Sequence, residues 1–324
     1  MTRGRLTLLA VVLVAVAAAV AVRMARSEPP PSPEPAPTGP STLGLLVVNT
    51  DFGPLVTVLG AEGSAPPAGV VVPSDVRITI PGQGDGTVAK AAELAGPQAA
   101  MSMSNLFGAW IPHYAAIRQG KLAKIIDRAG GLEIGGSSLT GAEVLASLAA
   151  VDRSRSAVWQ ETVQALLASG VTWESIDLPK ADSPTTMARF LNAASGAQVQ
   201  VLPTEEVADG VRRAAPEALQ EVLASAFGFP FDREVHRAIV LNGSGVPGVG
   251  ESVAGKLIPG GVRIVVSENA SSFDHDTTLI VVSEEDRSIG EAVRDLLGVG
   301  DVQVSGPASG LADVTIVIGK DFQA

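Results

Sequence analysis

The stretch AIVLNGSGVPGVGESVA, Ala238 to Ala254, decides how the last part of this chain is read. Ala238 to Leu241 form a short apolar run, Asn242 and three glycines follow, and a small-residue helical pattern opens near Val249. An apolar strand passing through glycines into a helix is the beginning of a β-α unit. Gly243, Gly245 and Gly248 also fit G-x-G-x-x-G, with an acid, Glu268, about 20 residues further on, which is the dinucleotide fingerprint. Three readings of the loop stand side by side. It is a structural turn in which Asn242 bonds the backbone, a polyanion- or glycan-binding loop at a helix N-terminus, or a nucleotide site. The region beyond Phe231 is too short for a six-stranded doubly wound sheet, which weighs against the nucleotide.

Working outward, the pattern gives a strand at Arg237 to Leu241, a helix at Val249 to Leu257, and strands at Val262 to Ser267 and Thr277 to Ser283. A helix at Ile289 to Leu297 and short strands near Val302 and at Val314 to Ile318 complete it. That order predicts a small ferredoxin-like α/β sheet, β-α-β-β-α-β. Asp274-His275-Asp276 holds metal-ligand residue types, but consecutive strand residues face opposite ways and cannot converge on one ion, so it reads as a loop. Glu284-Glu285-Asp286 reads as an acidic first turn favoured by the helix dipole.

Upstream, LGLLVVN, PLVTVLG, GVVVPS and VRITIP between Leu43 and Pro81 suit buried strands of one sheet. Helical patterns follow at Thr87 to Ala95, Pro97 to Phe107, Lys121 to Arg128, Thr140 to Ala149, about Asp152 to Ala168, Pro184 to Ala194 and Ala215 to Ala226. Strands near His113 to Ile117 and Gln198 to Leu202 alternate with them, which predicts an α/β layered domain.

Leu6 to Val22 is an uncharged run of Leu, Val, Ala and Thr. As a helix it spans roughly 25 Å, the short end for crossing a bilayer. Arg3 and Arg5 precede it and Arg23 and Arg26 follow, a slight preference for a cytoplasmic N-terminus. It reads as a single-pass signal anchor at the cell membrane; a cleaved signal peptide, with Ala19-Val20-Ala21 as the small-residue site, is the competing reading. SEPPPSPEPAPTGPS, Ser27 to Ser41, is then a solvated spacer. The predicted organisation is anchor 1–26, Pro-rich linker 27–41, a first α/β domain 42–228 and a second 233–324.

The 324 residues carry 23 Lys and Arg against 34 Asp and Glu, a formal net charge of -11. With no basic cluster, direct nucleic-acid binding is not expected. The absence of cysteine excludes disulfides and thiolate chemistry, and three histidines exclude a His-rich metal cage. Ser102 and Ser104 have no recognisable His partner for hydrolase chemistry.

These residues carry two resemblances. The loop at Ala238 to Ala254, with Phe273-Asp274 and the closing run Val314 to Phe322, resembles the LytR C-terminal domain of cell-envelope proteins. VVVPSDVRITIPGQGDGTVAKAAELAGP (Val70 to Pro97), HYAAIRQGKLAKIIDRAGGLEI (His113 to Ile134) and LTGAEVLASL (Leu139 to Leu148) are similar in order and spacing to the LytR-CpsA-Psr domain. That resemblance implies an anchored extracytoplasmic protein moving glycopolymers from polyprenyl pyrophosphate to peptidoglycan. It also implies arginines gripping the phosphates and a magnesium ion on carboxylates if the chain is catalytic.

The chain departs from the pattern. Val72-Pro73-Ser74-Asp75 stands where the family has Ile-Pro-Arg-Asp, Ser41-Thr42 where it has Asp-Thr, and Val158-Trp159 where it has a second Arg-Gln. Asp75 (also the candidate metal ligand), Asp152 and Arg155 remain, and Arg77, two residues after Asp75, would reach from the same strand face. Plain alternatives are a helix cap for Asp152 and a solvated face for Arg153 and Arg155. Each lost transition-state contact costs about 2.7–4 kcal/mol. The resemblance therefore points to a pseudo-enzyme that binds a cell-wall glycopolymer, polyprenyl-linked lipid or peptidoglycan, with Asn242, Gly243, Gly245 and Gly248 as a second candidate binding loop. A working phosphotransferase and a scaffold for envelope protein partners are the alternatives.

Overall fold

Thr42–Asn49 (β1), TLGLLVVN, is buried at all of its interior positions, the mark of a strand covered on both faces. A computed structural model describes residues 41–63, 65–94, 96–150, 155–178, 181–208, 211–229, 235–305 and 310–323. β1 lies inside a five-stranded sheet of order β6-β1-β2-β3-β9, with β2 at Leu55–Ala61, β3 at Ala68–Val72, β6 at His113–Arg118 and β9 at Gln198–Val201. It runs antiparallel to β2 and parallel to β6, while β3 runs antiparallel to β2 and parallel to β9. Alternate residues serve opposite faces: Leu43, Leu45 and Val47 join one core, Leu46 and Val48 the other.

Helices fill both sides. One core takes residues from α1 (Val88–Ala92), α2 (Gly96–Phe107) and α7 (Pro216–Phe227). The other takes them from α3 (Gln119–Arg128), α4 (Gly141–Ala150), α5 (Arg155–Ala168) and α6 (Pro184–Ala193). Their ends follow local chemistry. Ser183 accepts from the Thr186 amide with Pro184 in the first turn of α6, and Gly228 closes α7 at φ +71, a conformation glycine adopts without strain. The core is mostly aliphatic, and two rings fill the space above strand glycines. Phe190 and Phe227 lie where a Cβ on Gly44 and Gly60 would sit, 2.2 and 2.4 Å away respectively, so both strand glycines allow close approach.

Three short hairpins decorate this lobe: β4 (Arg77–Ile80) with β5 (Gly84–Thr87), β7 (Leu132–Ile134) with β8 (Ser137–Leu139), and β10 (Thr204–Ala208) with β11 (Val211–Ala214). The first corrects the expectation that VRITIP lies in the main sheet. Gly82 and Gly84, at φ +75 and +74, fold the chain back so that Arg77–Ile80 pairs with Gly84–Thr87.

The second lobe contains β12 (His236–Asn242), α8 (Val249–Leu257), β13 (Val262–Asn269), β14 (Leu279–Val282), α9 (Arg287–Leu297), β15 (Asp301–Val304) and β16 (Val314–Ile318). Its sheet order is β13-β12-β16-β14-β15. This is an α/β sheet, but not the ferredoxin-like split expected from the element order. Each β-α-β unit joins neighbouring parallel strands, β12 with β13 and β14 with β15, leaving no gap inside a unit. β16 instead enters between the units, parallel to β12 and antiparallel to β14. Its Val314, Ile316 and Ile318 are buried in the core shared with α8 and α9.

The two lobes lie in one compact unit, 39–324, and meet through α2 and β13. The buried Asn105 amide donates to Ile264 O at 2.7 Å and accepts from Ile264 N at 3.0 Å, while Gly82 N donates to Val265 O at 2.9 Å. Asn105 thereby satisfies a β13 peptide as a neighbouring strand would. Among the described residues no helix is long and apolar enough to cross a membrane; the expected anchor and spacer lie outside them.

Candidate anion-binding cleft

Pro73 ends β3, and the chain turns through Ser74 and Asp75 before β4. The turn is held by Val76 N donating to Pro73 O at 3.3 Å and Ala89 N to Ser74 O at 2.8 Å. Asp75 therefore faces a cleft of about 210 Å³ whose walls include Pro54, Ser74, Arg155, Trp159 and Arg212. Three charged side chains from distant parts of the sequence converge there.

Arg212, on β11, brings Nη1 to 3.4 Å from Asp75 Oδ2, with the side chains 41% and 55% exposed respectively. At that length and exposure the pair contributes about 0–1 kcal/mol, little enough for an incoming anion to displace the carboxylate. Arg155, at the start of α5, donates from Nε to Leu148 O at 3.0 Å and from Nη1 to Phe52 O at 3.2 Å, and its guanidinium lies 4.9 Å from the Phe52 ring centre. It ties the cleft wall together as well as lining it. Trp159 is fully buried and donates from Nε1 to the buried Thr57 hydroxyl at 2.9 Å. Val158 stands where the resemblance expects a second arginine, and Trp159, at the position of the following glutamine, contributes an indole to the cleft wall.

The cleft contains Asp75 and Arg155 as the motifs suggested, but not Arg77. Asp75 belongs to a turn, so strand alternation does not carry over, and Arg77 Nη2 instead pairs with Asp85 at 2.7 Å in another cavity. Asp152 lies outside the described residues. Arg212 escaped the motif reading. Its signal was Asp209-Gly210, a hairpin dipeptide between Thr204–Ala208 and Val211–Ala214. Arg212 thus takes the place expected of Arg77, and the cleft keeps two arginines. Asp75 is the sole carboxylate among its described lining residues, and magnesium held by one carboxylate requires substrate phosphate oxygens to complete its shell. Among the described residues no group of three or more Asp, Glu, His or Cys could hold a metal.

The glycine loop is built from within. Asn242 Oδ1 accepts from Ser244 N at 3.2 Å, Ser244 Oγ at 3.0 Å and Gly245 N at 3.0 Å, and its Nδ2 donates to Val246 O at 2.9 Å. Gly245 and Gly248 adopt φ +75 and +78, and a Cβ on Gly243 would sit 2.7 Å from the His275 ring. All four candidate residues are used by the turn itself. The neighbouring cavity of about 290 Å³ has Glu251 and Glu268 in its lining and no Lys or Arg, and burial pushes the Glu251 carboxyl up. Two carboxylates repel the anion that a phosphate-binding loop would hold. Asp274-His275-Asp276 is a loop whose acids diverge, Asp274 accepting from Ser272 and Asp276 pairing with Lys320.

Comparison with known proteins gives a family for one lobe. Residues 237–322 match the LytR_C family. It is described as LytR cell envelope-related transcriptional attenuator, and the match spans the LytR_C-like lobe from β12 past β16. Solved structures similar to the chain include a LytR-Csp2A-Psr enzyme from Actinomyces oris, 15% identical, covering 59% of this chain and 93% of its own at a TM-score of 0.47. B. subtilis TagT is 16% identical over 62% of this chain and 95% of its own, at 0.46. The LytR-CPS2A-psr family protein YwtF (TagT) with bound octaprenyl pyrophosphate lipid is 15% identical over the same shares, at 0.47. No curated protein matches the chain. The LytR C-terminal resemblance read from the motifs is thus met by the family match over residues 237–322.

Proposed function

We propose that this chain is a membrane-anchored, extracytoplasmic cell-envelope protein. It holds the phosphate-bearing head of a cell-wall glycopolymer or polyprenyl-linked carrier in the Asp75–Arg155–Arg212 cleft, without transferring it at an appreciable rate. Residues 6–22 supply the anchor in this reading. The observation that carries the proposal is Trp159. Its buried indole, bonded to Thr57, forms cleft wall at the position of the family's glutamine, next to Val158 at the position of its second arginine, so the cation that a developing charge would need is missing there. Arg155 and Arg212 still offer planar forks suited to phosphate oxygens.

The convergence of two arginines on Asp75 favours a second reading, a transferase with a rearranged site, in which magnesium would be held by Asp75 and substrate phosphates. The experiment is an in vitro assay with lipid-linked glycan, peptidoglycan acceptor and magnesium, run beside a binding measurement with the same lipid. Binding without transfer, weakened in Arg212→Gln, is expected. Transfer by the natural chain that Asp75→Ala abolishes would replace the binding reading with the enzymatic one. A lipid that does not bind at all would remove both.

A further inference from the structure

We infer a second oxyanion site, separate from the Asp75 cleft, in the cavity of about 350 Å³ between the two lobes. Arg77 of β4, Arg213 of β11 and Arg263 of β13 line it, with Asp85 as the only carboxylate among the described lining residues and Asn105 and Gln220 as further polar groups. With Asp85 in the lining and Glu205 beside Arg213, the three guanidinium groups keep a local excess of one positive charge in a chain of net charge -11. Such a concentration costs mutual repulsion, which a bound anion relieves.

The groups differ in how they are engaged. Arg77 pairs with Asp85 at 2.7 Å with both side chains more than half exposed, and Arg213 pairs with Glu205 at 2.6 Å, also at the surface. Exposed pairs of this kind contribute little and exchange readily for a better acceptor. Arg263 is half-buried, with none of the described residues forming an ion pair with it, and burial alone pushes its guanidinium down from the usual arginine range. Its position is set by the contact between lobes, since Asn105 clasps Ile264, the next residue, and Gly82 N bonds Val265 O. A guanidinium drawn from water and fixed beside two exchangeable ones is suited to a multiply charged oxyanion, and the site takes one of the pyrophosphate type, with adjacent phosphates.

Strand geometry explains why the two sites are distinct. β11 lies beside β4, with Val76 bridging Arg212, and successive strand residues point to opposite sides. Arg212 therefore faces the Asp75 cleft and Arg213 the cavity between lobes. The site does not depend on what the Asp75 cleft binds.

The test is calorimetric titration of the full chain in detergent with inorganic pyrophosphate and, separately, inorganic phosphate. It is run in an Arg212→Gln background that weakens the other cleft. Pyrophosphate binding persists in that background, exceeds phosphate binding, and falls about tenfold or more in Arg77→Gln and in Arg263→Gln. Arg263→Lys, keeping the charge without the fork, loses less than Arg263→Gln. Asp85→Asn, which releases Arg77 at an exposed position, tightens binding several-fold. If Arg263→Gln does not fold, as judged by its melting, Arg77→Gln and Asp85→Asn decide alone. Unchanged affinity in both, or loss of all binding with Arg212→Gln, overturns the site.

Discussion

Trp159→Ala should be the most damaging single change in the first lobe, and its effect can be worked out from the structure. The side chain is fully buried. An aromatic of this class removes about 150–250 Å² from water, which at about 25 cal/mol per Å² is roughly 4–6 kcal/mol as an upper bound. Buried Trp-to-Ala changes cost about 3–5 kcal/mol, cavity included. The Thr57 hydroxyl also loses its indole donor, and two sheet strands lose their packing partner. A fall in melting temperature of about 10 °C or more follows for a chain of this size. Circular dichroism during thermal and urea unfolding measures it.

The same substitution bears on binding. In the natural chain the buried indole is part of the cleft wall and leaves about 210 Å³, so farnesyl pyrophosphate should bind no better than inorganic pyrophosphate; in Trp159→Ala the prenylated compound should gain. A stability loss below about 1 kcal/mol would show that the indole is not packed as described. Tight, prenyl-dependent binding by the natural chain would show that a lipid tail has another path, and the head-group reading would fail.

Asn105→Ala leaves the Ile264 N–H and C=O without their partners and should cost about 2–5 kcal/mol. Hydrogen exchange at the Ile264 amide should rise, and unchanged protection would mean the lobes are held by other contacts. Gly44→Ala places a methyl 2.2 Å from Phe190 Cε1 and should cost about 1–3 kcal/mol, part of it recovered by adding Phe190→Leu. Glu251 has its carboxyl pKa raised by burial from 4.5. A raised folded-state pKa gives stability that is complete below the unfolded value near 4.5 and lost as pH rises through the folded one. Glu251→Gln should therefore melt above the natural chain at pH 7 and converge with it towards pH 4; a constant difference would rule out the titration.

Much of this architecture was written in local pattern. The fully apolar run Leu43 to Val48 announced a strand covered on both faces, and Ser183-Pro184 and Gly228 marked helix ends that the fold uses. Asp75 and Arg155 were found because motif spacing held them in order. Pairing was not legible. Nothing in Val314 to Ile318 states that it inserts between two β-α-β units, because strand order is set by packing between segments distant in sequence. Arg77 was misplaced because a turn at Pro73 to Asp75 breaks the period-2 alternation. Arg212 and Arg213 belong to no motif in the sequence, and only the folding of β10 on β11 gives them different roles.

The division of labour between Arg212 and Arg213 has an evolutionary corollary. A strand shifted by one residue presents each side chain to the opposite side. A one-codon insertion or deletion in β11 ahead of the dipeptide would exchange the two residues, sending each cation to the other's chamber while leaving the number of arginines unchanged. Because both residues are arginine, each chamber keeps one guanidinium through such a change of length, so the pair protects both sites from a slip that would move the charge of a mixed dipeptide.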